Sequence, residues 1–385
     1  MHTNQQTGPV YIVGAGLFGS VLAERIANVQ KRQVMIFEQR AHLGGNCYSF
    51  DDQETGINCH QYGCHIFHTK NAAVYQYLTR FCTLNSYHHR VYTRAHGALY
   101  PMPINLETVN KFFHLQLTPS ECAAFLQQKI AAGRIESPQN LEEQAVSLIG
   151  RELYEAFIRG YTQKQWQRDP KELPAYIIKR LPFRTSYNAD YFDNPPYQGL
   201  PIGGYGEVFK RMLDHPLIEV RLNTRWQDVK DKIPADAVVI YTGMPDELFD
   251  YCLGRLEWRT LDFKWETVSV GDYQGCACIN EAAPEVPYTR THEFRHYHPE
   301  NTAAAKDKSV ICREYSREYR AGDIPFYPVD TQRNRELYSQ YQEMAKRSGR
   351  FILGGRLGLY RYMDMDVTIA AALQCFAEEF LSGRH

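Results

Sequence analysis

The sequence lacks the features that mark secreted, membrane-spanning and zinc-binding proteins. Its ten cysteines include no C-x-x-C pair and no regular spacing, which argues against a disulfide framework. No apolar run approaches the ~18 residues of a membrane helix. Residues 1–8 are polar and do not resemble a signal peptide. We therefore expect a cytoplasmic protein with reduced thiols, no membrane insertion and no metal.

An excess of charge of one sign is also missing. The 43 Lys and Arg nearly balance the 44 Asp and Glu, the formal net charge is −1, and no charge run occurs. This balance predicts no bulk attraction to nucleic acid. A chain of 385 residues with 44% hydrophobic residues indicates a globular protein of two or three domains.

The first ordered stretch carries the strongest local pattern. An apolar run at residues 10–13 predicts a buried strand, residues 20–29 a helix, and residues 34–37 a second strand that ends at Glu38. Between the first strand and the helix stands G-x-G-x-x-G, made by Gly14, Gly16 and Gly19. The order of strand, glycine turn, helix, strand and acid predicts a dinucleotide-binding unit whose helix N-terminus meets the pyrophosphate.

A second glycine pair selects the cofactor. Gly44-Gly45 follows Glu38 closely, which NAD sites do not generally need, so we expect FAD. No second G-x-G-x-x-G with a following strand and acid occurs, so we expect no NAD(P)H domain. The cofactor-binding residues predicted in this stretch are Gly14, Gly16, Phe18, Gly19, Glu38, Gln39, Gly45 and Asn46.

The middle of the chain predicts a helical insertion. Tyr154, Phe157 and Tyr161 share one helix face, and Trp166 follows, as in a site that stacks a planar base or in ordinary core packing. Prolines around Arg180 predict a hinged lid whose guanidinium suits a diphosphate, with a solvated charged helix as the alternative.

The remaining segments predict a sheet and a return to the first domain. The fold class is α/β: a discontinuous Rossmann-like FAD-binding domain (1–80, 200–250, 345–385), a helical bundle with a lid (105–180), and a twisted antiparallel sheet domain (81–104, 181–199, 251–344). Residues 286–290 predict a strand that places Val286, Tyr288 and Arg290 on one face, with Arg259 and Arg290 pointing across a cleft. Asp364 or Asp366 is expected to cap the last helix.

Three histidines stand close together in the sequence. His60, His65 and His68 match no familiar ligand spacing, so zinc is a minor alternative. A loop beside the flavin and a loop of structural histidines are both open interpretations.

Motifs along nearly the whole chain resemble the family of prokaryotic UDP-galactopyranose mutases. They are Gly14 to Gly19, Gly44-Gly45-Asn46, the runs 63–69, 99–106, 152–157, 160–166, 179–182, 272–275 and 286–290, and the stretch from Gly355 to Asp366. Together these motifs are specific to the family, whereas none of them is specific by itself.

The resemblance implies a redox-neutral ring contraction of UDP-galactopyranose to UDP-galactofuranose. Reduced FAD would attack the anomeric carbon through N5 and displace UDP, and the product would supply cell-surface polysaccharide. The implied catalytic residues are Arg180, Arg290 and His68. The implied substrate-binding residues are Phe157, Tyr161, Trp166, Arg180, Tyr191, Asn280, Arg290, Tyr327, Tyr362, Asp364 and His89. The further implied cofactor-binding residues are His65, His68, Arg356, Asp364 and Met365. The family also implies a homodimer.

Two positions depart from the family pattern. Cys64 stands where many members have proline, and His89 stands where many have asparagine. Because His89 lies toward the substrate, UDP-N-acetylgalactosamine and dTDP-fucose remain alternative substrates. A flavin oxidase of the amine-oxidase type and a non-catalytic nucleotide-sugar sensor are the alternatives from other functional classes.

Overall fold

Two large sheets organise the chain, and two small two-stranded sheets accompany them. The structure is a computed structural model that describes residues 8–131, 135–180 and 183–382, without the side chains of residues 179 and 180. The strands are β1 (Val10–Val13), β2 (Val34–Phe37), β3 (Ser49–Asp51), β4 (Asn58–His60), β5 (Phe67–Thr69), β6 (Val91–Ala95), β7 (Ala98–Met102), β8 (Tyr197–Gly199), β9 (Ile218–Arg221), β10 (Val239–Tyr241), β11 (Trp258–Val268), β12 (Cys278–Glu281), β13 (Arg290–Glu293), β14 (Ser309–Glu318), β15 (Tyr327–Pro328) and β16 (Phe351–Leu353). The two small sheets are β3-β4 and β5-β8.

The helices lie between these strands and form most of residues 106–180. They are α1 (Leu17–Arg25), α2 (Ala72–Leu78), α3 (Leu106–Phe113), α4 (Pro119–Ala131), α5 (Leu141–Ile149), α6 (Arg151–Leu153), α7 (Gly160–Trp166), α8 (Gly204–Leu213), α9 (Trp226–Val229), α10 (Pro245–Leu248), α11 (Gln332–Ser348), α12 (Gly355–Gly358) and α13 (Met365–Phe376). A π-helical turn, Tyr154–Arg159, joins α6 to α7.

The first sheet is parallel and has the order β16-β10-β1-β2-β9. Its strands come from three separate stretches of the chain, and α1 and α13 pack against each other beside it. Parallel strands covered by helices are apolar throughout, as β1 and β10 are here. The predicted fold class, a discontinuous Rossmann-like domain combined with an antiparallel sheet, is confirmed. The predicted boundary at residue 345 falls inside α11, and the division into three domains stays a prediction.

The second sheet has seven strands in the order β15-β11-β14-β13-β12-β6-β7 and is antiparallel except where β12 meets β6. Its register places Asn280, Arg290 and Glu314 opposite one another on three neighbouring strands. Directly opposed residues share one face of a sheet. The register therefore assembles a polar row from residues that are far apart in the sequence.

The predicted strand at residues 286–290 is wrong. Only Arg290 belongs to a strand, and residues 286–289 form a bend. Pro287 cannot donate a ladder hydrogen bond, and the Lys164 ammonium group binds the carbonyl oxygen of Tyr288 at 3.1 Å. Val286, Tyr288 and Arg290 consequently do not share a strand face.

Close packing of α1 on β1 depends on Gly19. A Cβ atom built at Gly19 would lie 2.2 Å from the carbonyl oxygen of Gly14 and 3.1 Å from a methyl carbon of Ile12. Real Cβ atoms do not approach backbone oxygen so closely, so the third glycine of the motif sets the distance between helix and strand.

We predict that Gly19→Ala destabilises the protein, although alanine is the better helix former by ~1 kcal/mol. The added methyl must push α1 away from β1, and we expect a loss of about 3 kcal/mol in the free energy of unfolding. Gly97→Ala is the control, because its Cβ would meet no atom within 4 Å and only its φ of +75° is strained, at about 1 kcal/mol. Urea denaturation of both variants measures the difference, and equal losses would contradict this account.

Candidate active site

Two glycine turns meet at the N-terminus of α1. A Cβ atom at Gly45 would lie 3.0 Å from the Cα of Gly16. The N–H group of Gly44 donates to the carbonyl oxygen of Ala15 at 2.9 Å, and Gly44 and Gly45 have φ values of +92° and +55°. Bare backbone from both turns thus lines the start of the helix. This cradle fits the pyrophosphate of a dinucleotide such as FAD.

The acid at the end of β2 is fixed by the same turn. Glu38 is 4% exposed, and its Oε2 accepts the N–H of Ala15 at 2.8 Å while its Oε1 accepts the N–H of Arg40 at 2.9 Å. A carboxylate has about four acceptor positions, so Glu38 retains capacity for a ribose hydroxyl. Arg40 in turn donates to the Oδ1 of Asn46 at 2.8 Å.

An arginine and two tyrosines lie where the last stretch of the chain reaches the second sheet. The guanidinium carbon of Arg356 lies 5.8 Å from the ring centre of Tyr327 and 5.1 Å from that of Tyr362. The rings of Tyr327 and Tyr362 are stacked at 6.0 Å. Arg356 also donates to the carbonyl oxygen of Phe326 at 2.5 Å. These contacts fix the guanidinium against an aromatic wall.

Of the two predicted capping residues, Asp366 and not Asp364 bonds the first turn of α13, since its Oδ1 accepts the N–H of Val367 at 2.8 Å. Asp364 occupies the N-cap position of α13, but its side chain makes no capping hydrogen bond. Burial and the adjacent Asp364 carboxylate raise the pKa of Tyr362. Asp366 lies inside the helix, and its Oδ2 accepts the hydroxyl of Thr69 at 2.9 Å. The first carboxylate therefore faces the tyrosines, and the second joins α13 to β5.

The histidines take separate structural positions. His68 is stacked on Phe192, with ring centres 3.6 Å apart. The N–H of His65 donates to the Nδ1 of His60 at 3.1 Å, and the Nδ1 of His65 contacts the carbonyl oxygen of Gly63 at 2.9 Å. The imidazoles of His60, His65 and His68 do not converge on one point. A zinc site at these three residues therefore has no support.

His89 is buried behind Tyr191. Its Nδ1 lies 3.0 Å from the hydroxyl of Tyr87, and its ring centre lies 5.2 Å from that of Tyr191 and 5.9 Å from that of Phe192. Burial lowers the pKa of His89 to about 3, with the positive charges of His292 and Arg290 acting in the same direction. The imidazole is consequently neutral at physiological pH.

Arg290 is the centre of the polar row on the second sheet. Its Nη2 donates to the hydroxyl of Tyr161 on α7, and its Nε lies 3.4 Å from the Oε2 of Glu314. The Arg290 side chain is 31% exposed and that of Glu314 6% exposed. Burial raises the pKa of Glu314, but Arg290 and His292 outweigh it and lower the pKa to about 2. The carboxylate is therefore ionised and holds the arginine in place.

Helix α7 is attached to the sheet on one side by Lys164 and Gly160. The Lys164 ammonium group donates to the carbonyl oxygens of Glu281, Ala283 and Tyr288 at 2.7, 2.8 and 3.1 Å. A Cβ atom at Gly160 would lie 2.2 Å from the carbonyl oxygen of Ala282. Positions four apart share one helix face, so these two residues dock α7 onto the turn before Arg290.

Arg259 attaches the other end of the same helix. Its guanidinium donates to the carbonyl oxygen of Gln165 at 3.3 Å, to the side chain of Gln167 at 3.2 Å and to the hydroxyl of Ser316 at 3.0 Å. Arg259 is 4% exposed, so the expectation that it points across a cleft is wrong. Its three partners place it under α7 rather than in the site.

Most of the predicted substrate-binding side chains lie close enough to one another to interact electrostatically. The pKa of Tyr327, raised by burial, also responds to Glu314, Arg290, Arg356 and Tyr191. Phe157 instead lies 2% exposed in the helical core, with Tyr100 and Phe112 around its ring. The side chain of Arg180 lies outside the described residues.

Other predicted residues are placed without a decisive contact. Phe18 is buried against Gly354, Trp166 and Met365 are half-buried, and Gln39 is exposed. Asn280 lies half-buried in the polar row. The roles of these residues stay predictions.

Sequence reasoning missed Glu314, His292 and Lys164. The spacing of Gly160 and Lys164 on one helix face was the available signal for the last of these. Glu314 and His292 gave no local signal, because only the register of the sheet brings them to Arg290.

Comparison with known proteins supplies the family. The family model described as UDP-galactopyranose mutase matches residues 156–362, and a model of NAD(P)-binding Rossmann-like domains matches residues 12–81. A probable UDP-galactopyranose mutase of Klebsiella pneumoniae is 42% identical over 97% of this chain and 94% of its own. A dTDP-fucopyranose mutase of Escherichia coli is 38% identical over 95% of this chain and 97% of its own.

A solved structure agrees with the fold. The crystal structure of a reduced UDP-galactopyranose mutase aligns over 98% of this chain and 96% of that chain, with a TM-score of 0.74 and 16% identity. Within the described ranges, no helix combines the length and the apolar character needed to cross a membrane.

We predict that acid destabilises the protein through its buried neutral histidines. Burial, partly opposed by the contact with Gly63, lowers the pKa of His65 to about 4, and that of His89 is about 3, whereas unfolded histidine has a pKa of ~6.5. The unfolded chain therefore binds more protons below pH 6.5, and stability falls as the pH decreases from 6.5 towards 4.

His89→Asn removes one of these groups. Between pH 4 and 6 the dependence of the unfolding free energy on pH should decrease by about 1.4 kcal/mol per pH unit. Urea denaturation at several pH values measures it, with His96→Asn at an exposed turn as the matched exchange. A slope identical to that of the wild type would contradict the assignment.

Proposed function

The chain belongs to the UDP-galactopyranose mutase family, and from this premise we propose that it is an isomerase that interconverts UDP-galactopyranose and UDP-galactofuranose with reduced FAD bound. One observation supports this most: Arg290, fixed by Tyr161 and Glu314, lies within electrostatic reach of the cluster around Arg356. Tyr327 is thus close both to Arg290, a cation for a leaving diphosphate, and to Arg356.

The chemistry divides between cofactor and protein. The glycine cradle would hold reduced FAD, which would supply the nucleophile for the anomeric carbon. The reaction is redox-neutral because the pyranose and furanose forms are isomers. Arg290 would bind the diphosphate and stabilise the charge that develops as the bond to UDP breaks. We propose that Arg180 also binds the diphosphate and that Tyr161 and Trp166 hold the uridine. His68, which stacks on Phe192, would support the flavin ring system.

The remaining contacts of the substrate follow from the same placement. With Phe157 supporting the pocket from the helical core and Asn280 and His89 at its edge, Tyr191, Tyr327, Tyr362 and Asp364 would contact the diphosphate and sugar. Their proximity to Arg290 and Arg356 supports this assignment. We further propose a cytoplasmic homodimer that supplies galactofuranose for cell-surface polysaccharide, an expectation that rests on the family.

A second candidate is a mutase of dTDP-fucopyranose. The similarity to the Escherichia coli relative and the neutral, buried imidazole of His89 beside Tyr191 favour it. The asparagine that many family members have at this position offers both a donor and an acceptor. The imidazole of His89 has its Nδ1 bonded to Tyr87 and offers only its second nitrogen. The sugar hydroxyls recognised there would differ accordingly.

The test is an anaerobic assay with dithionite-reduced protein. UDP-galactofuranose, UDP-N-acetylgalactosamine and dTDP-fucose are incubated separately, and the ring forms are resolved by chromatography. We expect conversion of UDP-galactofuranose to the pyranose without consumption of an oxidant or of NAD(P)+. Preferred conversion of dTDP-fucose would favour the second candidate, and no conversion of any of them would refute the proposal.

We predict that Arg290→Ala lowers turnover at least 100-fold, since one buried charge-assisted contact is worth about 2–5 kcal/mol. The protein should remain yellow, because Arg290 lies in the second sheet and not in the glycine cradle. Arg313→Ala is the control: Arg313 neighbours Glu314 on β14 but bonds to Glu266 and Tyr273 instead. Undiminished turnover in Arg290→Ala would remove this residue from the site.

A further inference from the structure

A buried histidine lies directly behind the arginine of the site. His292 follows Arg290 by two residues on β13, so both side chains are on the same face of the sheet. His292 is opposed by Cys278 on β12 and by Cys312 on β14. It is 1% exposed, and the proposed reaction gives it no task.

Both ring nitrogens of His292 have partners. Its Nε2 lies 2.7 Å from the Oε1 of Glu314, and its Nδ1 lies 2.8 Å from the hydroxyl of Tyr297. The other carboxylate oxygen of Glu314, Oε2, lies 3.4 Å from the Nε of Arg290. Glu314 is thus held between the guanidinium and the imidazole.

The net charge of Arg290, Glu314 and His292 together determines how strongly Arg290 attracts an anion. A carboxylate so close to a guanidinium cancels much of its positive charge, and a diphosphate would meet a nearly neutral pair. Burial lowers the pKa of His292, but Cys278 and Glu314 raise it to about 9. With His292 protonated and Glu314 ionised, the three side chains together carry one net positive charge.

We propose that His292 is a positioning residue that neutralises Glu314, so that Arg290 keeps its positive charge for the diphosphate of the nucleotide sugar. Glu314 can then fix the orientation of the guanidinium without weakening its attraction for phosphate. The inference rests on the proposed function, since it assumes that a nucleoside diphosphate binds at Arg290.

The test compares ligands that differ only in phosphate charge. Binding of UDP, UMP and uridine to the FAD-loaded protein is measured by calorimetry for the wild type and for His292→Gln. We expect at least tenfold weaker binding of UDP, because a unit charge lost within about 12 Å of an anion accounts for roughly tenfold or more at an effective dielectric constant of about 20. UMP should lose less affinity, and uridine should bind unchanged.

A charge-restoring variant separates electrostatics from packing. In His292→Gln/Glu314→Gln both charges are gone, so Arg290 is again uncompensated and UDP affinity should return to within about threefold of the wild type. Cys312→Ala, which alters the neighbour opposite His292, should bind all three ligands as the wild type does. If His292→Gln does not fold, Glu314→Gln serves as the second test. It removes the negative charge beside Arg290 and should bind UDP at least as tightly as the wild type.

The outcomes are distinguishable. Wild-type protein that binds no UDP would refute the proposed function itself. UDP binding to the wild type together with equal affinity in His292→Gln would overturn only the role of His292. An equal loss for uridine and UDP, or no recovery in the double variant, would show that the histidine serves packing alone and would also overturn the inference.

Discussion

The buried carboxylate of Glu314 is the constraint on which the site depends. An ionised group that is 6% exposed persists only when it is paired, because removing one partner of a buried pair costs about 3–5 kcal/mol. Here the carboxylate has two cationic partners, one on each oxygen. The second sheet must keep the register of β13 against β14 to satisfy it, and the same register aims Arg290 at Tyr161.

The helix that carries Tyr161 is held as firmly as the arginine. Lys164 bonds to the carbonyl oxygen at the end of β12 and to two in the turn before β13, and Arg259 bonds to the end of α7 from β11. The guanidinium and the helix are therefore fixed to the same sheet, which lowers the cost of organising them when a ligand binds. Buried cations that serve this purpose do not need to touch the substrate.

Features built from contiguous residues could be predicted from the sequence, whereas contacts that depend on the pairing register of the strands could not. The glycine cradle was predictable because strand, turn, helix and acid are contiguous, and the pairing of Gly16 with Gly45 follows from two separate glycine motifs. The resemblance to the family identified Arg290 and Asn280, and the structure places them in one row. Glu314 and His292 were not predicted, since no spacing within one strand shows which residue lies opposite. The strand expected at 286–290 failed because Pro287 lacks a ladder donor and the ammonium group of Lys164 binds the carbonyl oxygen of Tyr288 in a bend.

A leaving group that must return imposes a particular demand on such a site. If UDP departs from the sugar and later reattaches, the protein must stabilise the free diphosphate without binding it so tightly that recombination is slow. A single compensated cation on a rigid sheet satisfies the first half of this demand. The second half requires a contact that can be made and broken separately, which is the role that we propose for the segment Ala175–Arg180. That segment packs on α5, and the hydroxyl of Tyr176 donates to the carboxylate of Asp330 in the loop between β15 and α11, so its contacts are separate from those that fix Arg290.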